Sequence, residues 1–319
     1  MDRRAVLASA VAGGAAGSGG ARAATAPTVT RQGDGGRAPP AFVEAAGGTP
    51  LFVRDWPPRA GVAAPPGAGP VVFLASWSLP SDMWAYQMLA LGEAGLRCVA
   101  HDRRGHGRSG DPGRGYDFDT LADDLAAVME ALDLRGATLV GFSMGPGEIV
   151  RYLSRHGAGR VARVAFLGTT TPYLPRAADN PGGVDPAASE ALRARWLARD
   201  FPGWVDANMV PFVTPDAPEA TRGWVRDMAL RTSLRAVLDI NRAVTTEDFR
   251  AELPRVRVPT LVLHGARDES CPPDLTARPT AALVPGARLV MYEDAPHGLF
   301  LTHAERLNAD LLAFATAPG

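Results

Sequence analysis

The feature that most constrains this chain is an apolar run that stops at one sharp point. Thr138-Leu139-Val140-Gly141-Phe142 runs into Ser143-Met144-Gly145, completing G-x-S-x-G, and the sequence continues directly as Gly147-Glu148-Ile149-Val150-Arg151-Tyr152-Leu153. Leu139 and Val140 read as a buried parallel strand, while Ile149, Val150 and Leu153 recur at helical spacing. The pattern is strand, tight turn, helix. A serine at such a turn is held in a strained backbone with its hydroxyl pushed clear of the sheet, and flanking glycines let strand and helix pass closely. Ser143 is therefore the candidate nucleophile.

Around this point strands and helices alternate. Two short runs from Ala41 to Trp56 flank Gly47-Gly48 and read as a β-hairpin. Strands are expected at about 71–74, 97–100, 139–142, 161–167, 260–263 and 288–292, with helices at about 81–93, 118–132 and 303–314. In the second helix Leu121, Leu125, Val128, Met129 and Leu132 fall on one face. Such alternation predicts an α/β fold with a mostly parallel central sheet, helices on both faces, and active groups at the carboxyl ends of the strands. Between Thr169 and about Leu253 the alternation stops, and amphipathic helices carry Trp196, Trp204, Met209, Phe212, Trp224 and Met228.

The elbow Gly141-Phe142-Ser143-Met144-Gly145-Pro146-Gly147-Glu148-Ile149-Val150-Arg151-Tyr152 resembles that of the α/β-hydrolase superfamily. Within it, the likeness is to the cofactor-free haloperoxidase, perhydrolase and arylesterase branch, which reads G-F-S-x-G-G-G-E-x-x-R-Y. The likeness extends from about Phe42 to Phe314. One departure is Pro146 in place of glycine. The first turn of a helix tolerates proline, so the elbow is expected to persist with a stiffer helix entry. The resemblance implies that residues 39–319 form one hydrolase domain, with a helical cap over about 170–253 that brings apolar side chains to the substrate.

Superfamily order is Ser, then Asp or Glu, then His. His297 in Ala295-Pro296-His297-Gly298-Leu299 matches the position of the base, and Asp268 in His264-Gly265-Ala266-Arg267-Asp268 matches the orienting acid. The competitors are His303, at the start of the last helix, and Asp294, three residues from His297. His101 and His106 belong to a recurrent loop read as structural. His156 lies beyond the active end, and His264 ends a strand without a catalytic role. For the oxyanion, one donor is expected to be the backbone N–H of Met144, and the other that of Trp77 in Ala75-Ser76-Trp77. The family usually reads H-G-[FW] there, so Ala75-Ser76 removes a histidine anchor and stiffens a glycine position. A proline commonly follows the aromatic in the perhydrolase branch, whereas Ser78 follows it here.

These readings describe a serine hydrolase that cleaves carboxylic esters through an acyl-enzyme. The alternatives are perhydrolysis, lactone opening or C–C bond hydrolysis and, from another class, a silent hydrolase fold that binds a small ligand. The reading requires no cofactor and no metal, and the partner it implies is a small-molecule ester or acyl compound. A net charge of -1 supplies no field for nucleic acid or an anionic membrane, and no run after the N terminus is apolar and long enough to span a bilayer. No feature specifies an oligomeric state. Residues 1–23, with Arg3-Arg4 before an Ala/Gly-rich apolar run and Ala21-Arg22-Ala23 as a cleavage site, read as a twin-arginine export signal. Residues 24–38 then read as a linker, and the mature protein is expected in the periplasm or outside the cell. Cys98 reads as a small buried hydrophobe, and nothing in the sequence pairs it with Cys271 or places an activating base beside either thiol.

Overall fold

The computed structural model describes residues 41–214 and 216–318. The export signal and linker read from residues 1–38 lie outside the described residues. Eight strands form one sheet in the order β1-β2-β4-β3-β5-β6-β7-β8. They are β1 (Phe42–Ala45), β2 (Thr49–Trp56), β3 (Val71–Leu74), β4 (Cys98–His101), β5 (Ala137–Phe142), β6 (Val161–Leu167), β7 (Thr260–Gly265) and β8 (Arg288–Tyr292). β1, β2 and β4 pair antiparallel, and all pairings from β4 to β8 are parallel. The hairpin forms where expected: Gly47 and Gly48, at φ 78° and 76°, turn β1 into β2, a conformation glycine adopts at little steric cost.

The near-continuous apolar strands follow from burial on both faces. Val72, Leu74, Leu139, Val164, Phe166 and Val262 point into one core, packed with α2 (Phe118–Ala131) and α3 (Gly145–His156). Phe73, Val140, Phe142, Ala165, Leu261 and Leu263 alternate into the other, which holds α1 (Ala85–Glu93). α2 starts at an Asp117 cap whose carboxylate accepts from the Thr120 N–H, satisfying a donor the helix leaves open.

One expected helix differs in detail. The segment from Ser81 opens as a 3-10 turn, Ser81–Trp84, before α1. Its Ser81 N–H donates to the Asp102 carboxylate at 2.7 Å, which ties the entry to a loop rather than to a preceding helical turn.

Between β6 and β7 the chain forms α4 (Pro186–Leu192), a π-helical turn over Arg193–Leu197, α5 (Ala198–Val213), α6 (Glu219–Ala229) and α7 (Leu234–Val244), with no sheet strand among the described residues. α5 bends at Asp200, which leaves helical geometry and accepts from the Gly203 N–H at 2.9 Å. It thus caps a fresh start just before Pro202, a residue the first turn accepts. α8 (Ala277–Leu283) follows β7, and α9 (Leu299–Thr302) and α10 (Ala304–Ala315) follow β8. The expected terminal helix is thus α10, with His303 at its N-cap at φ -127°, and the short α9 precedes it. The His303 ring is held by Asp294 at 3.1 Å and Thr302 Oγ1 at 2.8 Å.

Candidate active site

β5 lies at the centre of the sheet, between β3 and β6, and delivers Ser143 from its carboxyl end. Ser143 sits at φ 60°, a left-handed conformation that costs a non-glycine residue free energy and is kept only where neighbours impose it. The neighbours are visible: the Ser143 N–H donates to Leu167 O at 2.8 Å, and the Thr170 N–H donates to Ser143 O at 3.0 Å. Space requires the first flanking glycine and is tight at the second. A Cβ on Gly141 would stand 2.5 Å from the Gly145 carbonyl carbon, and one on Gly145 would stand 3.0 Å from Leu74 O. Pro146 occupies the first turn of α3, so the departure from glycine is accommodated as proline geometry allows.

The loops after β7 and β8 bring Asp268 and His297 to this serine. Asp268 Oδ2 lies 2.6 Å from His297 Nδ1, and His297 Nε2 lies 3.1 Å from Ser143 Oγ. With the carboxylate accepting at Nδ1, the ring proton sits there, and Nε2 is left to accept from the serine hydroxyl. All three side chains are buried. The second Asp268 oxygen accepts from the Cys271 N–H at 2.7 Å, which fixes the carboxylate plane. His264 Nε2, 2.8 Å from Cys271 O and 3.3 Å from Asp268 Oδ2, braces the same loop. Burial lowers the His264 pKa, so it serves there as a neutral donor. The Phe142 and Phe212 rings pack on the His297 ring, with centroids 4.8 and 5.5 Å away.

The competitors are placed elsewhere. Asp294 pairs with His303 at 3.1 Å rather than with His297. His156 pairs with Asp123 at 2.8 Å on the outer end of α3. His101 ends β4 and His106 lies in the loop after it; both are buried, and burial pushes their pKa values down to about 3 and about 4.

A cavity of about 280 Å³ opens over Ser143 and His297. Trp77 and Met144 line it, and neither backbone N–H has an acceptor among the described residues. Met144 precedes the first turn of α3, so its N–H adds to the positive end of the helix dipole. Two free donors beside a serine hydroxyl and an imidazole can stabilise a tetrahedral oxyanion, each worth about 3 to 4 kcal/mol in comparable sites. Of the cap aromatics and methionines, Trp204, Met209 and Phe212 reach the cavity. Trp196 is exposed, Met228 is buried in the core, and Trp224 packs against Tyr86 with ring centroids 5.8 Å apart.

Cys98 and Cys271 are both free and buried. Cys271 lines the cavity, and its thiol lies within 4.8 Å of ligand atoms of both Asp268 and His297. Cys271 follows Asp268 by three positions, and its place beside His297 arises because the turn after Asp268 folds back on the carboxylate. The Cys271 pKa is raised well above that of a free thiol, by burial first and the Asp268 charge second, so the thiol stays protonated. Both nitrogens of His297 are committed, one to Asp268 and one to Ser143.

The family model for the alpha/beta hydrolase fold matches residues 69–304. The chain belongs to the α/β-hydrolase family. It is 39% identical over 274 residues to a non-heme chloroperoxidase of Streptomyces lividans, covering 84% of this chain and 96% of the relative. It is 35% identical over 280 residues to a bifunctional esterase/perhydrolase of Acinetobacter calcoaceticus, covering 86% and 98%. Among solved structures, an esterase from Exiguobacterium antarcticum superposes with a TM-score of 0.81 at 30% identity, covering 87% of this chain and 99% of that one. No helix among the described residues is long and apolar enough to cross a membrane.

Proposed function

We propose that this α/β hydrolase is a serine esterase that cleaves small carboxylic esters through an acyl-enzyme. The observation that carries the reading is the continuous chain Asp268–His297–Ser143, with contacts of 2.6 and 3.1 Å, beneath a largely apolar cavity. Ser143 attacks the ester carbonyl as His297 Nε2 takes its proton. Asp268 holds the ring in the required tautomer and stabilises the imidazolium, and the Trp77 and Met144 N–H groups receive the oxyanion. His297 then returns its proton to the leaving alcohol, and water activated by the same imidazole releases the acid. The decisive experiment is Ser143→Ala. Ester hydrolysis and fluorophosphonate labelling are expected to vanish while the thermal transition stays in place, and undiminished labelling would remove Ser143 from the reaction. A folded wild-type protein that neither labels nor turns over would favour a silent ligand-binding fold.

A second reading, perhydrolysis, is supported by the haloperoxidase and perhydrolase names among the relatives. There hydrogen peroxide replaces water as the group that clears the acyl-enzyme, and a peracid leaves. The oxyanion loop favours hydrolysis. Ser78 sits at φ 60°, and a proline, fixed near -65°, cannot take that backbone. The loop here therefore has a course that the aromatic-proline pair of the perhydrolase branch cannot follow. Because one oxygen atom separates peroxide from water, and a pocket discriminates such small groups by about 1 to 3 kcal/mol, hydrolysis is expected to dominate with peracid a minor product. Ser143-dependent bromination of a halide-dependent dye, driven by acid plus peroxide and outpacing aryl-ester hydrolysis, would reverse the order.

A further inference from the structure

We infer that the buried Arg103–Glu148 pair is the positioning device of the oxyanion hole, with Arg103 setting the direction of the Trp77 N–H. The inference rests on the acyl-transfer reading above. Arg103 Nη1 donates to Ser76 O at 3.0 Å, and its Nη2 donates to Ala75 O at 2.6 Å. The Ser76 carbonyl and the Trp77 N–H belong to the same peptide unit. In a planar trans peptide these two groups point in opposite directions. Holding the oxygen against Arg103 therefore turns the Trp77 N–H the other way, towards the cavity that Trp77 and Ser143 line. The preceding peptide is fixed as well, because Ala75 O meets the guanidinium while the Ser76 N–H faces Met83 Sδ at 3.4 Å.

Glu148 ties this arrangement to the second donor. Arg103 Nε donates to Glu148 Oε2 at 2.5 Å, and both side chains are almost fully buried. Glu148 stands in the opening turns of α3, where its N–H donates to Met144 O at 3.3 Å. One ion pair thus connects the peptide carrying the Trp77 donor to the helix end carrying the Met144 donor. The loop lacks both the histidine and the glycine usual in the family, and no side chain of its own residues 75 or 76 holds its backbone to the elbow; the guanidinium supplies that hold from beneath. The planar fork, with three donors aimed at three oxygens, is a task that guanidinium geometry suits and an ammonium does not. The outer side of the loop is docked separately, through Trp77 Nε1 on Val237 O at 3.0 Å and Thr232 Oγ1 on Ser78 O at 2.9 Å. Those contacts hold the indole and the exit, and leave the orientation of the Ser76–Trp77 peptide to Arg103.

The test uses two variants of the full chain. In Arg103→Met/Glu148→Leu both charges go together, which avoids an uncompensated buried ion. Arg103→Lys keeps the charge but cannot reach both carbonyls and Glu148 at once. For the double variant, kcat on an aryl ester is expected to fall about a hundredfold, the scale of one lost oxyanion donor, with KM within about threefold of wild type. Affinity for an arylboronic acid, whose tetrahedral serine adduct places an oxygen in the hole, should fall in parallel, while the product acid binds as before. Arg103→Lys should lose at least about tenfold in kcat with the same KM pattern, and it serves alone if the double variant does not fold. A folded variant with kcat within about threefold of wild type, or a loss confined to KM with boronate affinity intact, overturns the inference while leaving the esterase reading in place. A wild-type protein inert to esters, boronates and fluorophosphonates overturns both.

Discussion

Replacing Asp268 by asparagine changes one atom in the site and tests the whole relay. The carboxylate makes two short contacts, Oδ2 with His297 Nδ1 at 2.6 Å and Oδ1 with the Cys271 N–H at 2.7 Å. An amide has one acceptor to offer, so each orientation fails differently. With its oxygen kept on Cys271, the NH2 donates to Nδ1, the ring proton moves to Nε2, and His297 can no longer accept from Ser143. With its oxygen turned to His297 the tautomer is correct, but NH2 opposes the Cys271 N–H, and the imidazolium formed during attack has lost its counter-charge. For charges roughly 4 Å apart at an effective dielectric of 20, that loss is about 4 kcal/mol, or roughly a thousandfold in rate. Time spent in the wrong tautomer adds to this, so kcat is expected to fall about 10³- to 10⁴-fold with KM little changed. Asp294→Asn is the internal control. Asp294 reaches His303, at 3.1 Å, and not the His297 ring, so its rate should stay within about twofold of wild type. Stopped-flow hydrolysis of an aryl ester measures both, with circular dichroism to show that each variant is folded. An Asp268→Asn enzyme within tenfold of wild type, or Asp294→Asn as the more damaged of the two, would refute the reasoning.

Other expectations follow from single contacts. Gly141→Ala places a Cβ 2.5 Å from the Gly145 carbonyl carbon; the forced shift should cost about 1 to 3 kcal/mol and lower Tm by roughly 3 to 10 °C, and an unchanged melt would contradict the close strand–helix crossing. His106 is held neutral by burial, with Arg103 adding, at a pKa of about 4, below the unfolded value of about 6.5. The unfolded chain therefore takes the proton first, and stability present above pH 6.5 is lost as the pH falls towards 4. Between pH 7.5 and 5.5 this one group should withdraw about 1.3 kcal/mol, so urea unfolding of His106→Asn should be less acid-sensitive than wild type by that amount, and parallel pH profiles would deny the buried neutral ring. For export, the mature chain recovered from the native host should begin near Ala24, and changing Arg3 and Arg4 to lysine should retain the precursor in the cytoplasm; an intact Met1 on the exported protein would count against the signal.

What the sequence alone determined is what short-range chemistry encodes. The elbow was legible because strand, serine turn and helix are contiguous, so one stretch of chain specifies both the strained φ of Ser143 and the glycines that make room for it. The β6 span, Val161–Leu167, was legible because sheet burial on both faces demands apolar residues at nearly every position. Asp268 and His297 could be proposed by order along the chain, but the chain of contacts from Asp268 through His297 to Ser143 depends on β7 and β8 lying two and three places from β5, which no local pattern states. The same holds for other contacts at the site. Arg103 and Glu148 are 45 positions apart and meet only because β4 and β5 flank β3 and throw their following loops to one edge. Cys271 enters the site because the turn after Asp268 closes on its own carboxylate. Local sequence thus encodes the geometry of the Ser143 turn, whereas the directions of the Trp77 and Met144 N–H groups, the pairing of His297 with Asp268 and of His303 with Asp294, and the walls of the cavity are set by tertiary packing. Apart from the His303–Asp294 contact, each of those is a relation between distant segments, set by the register of parallel strands.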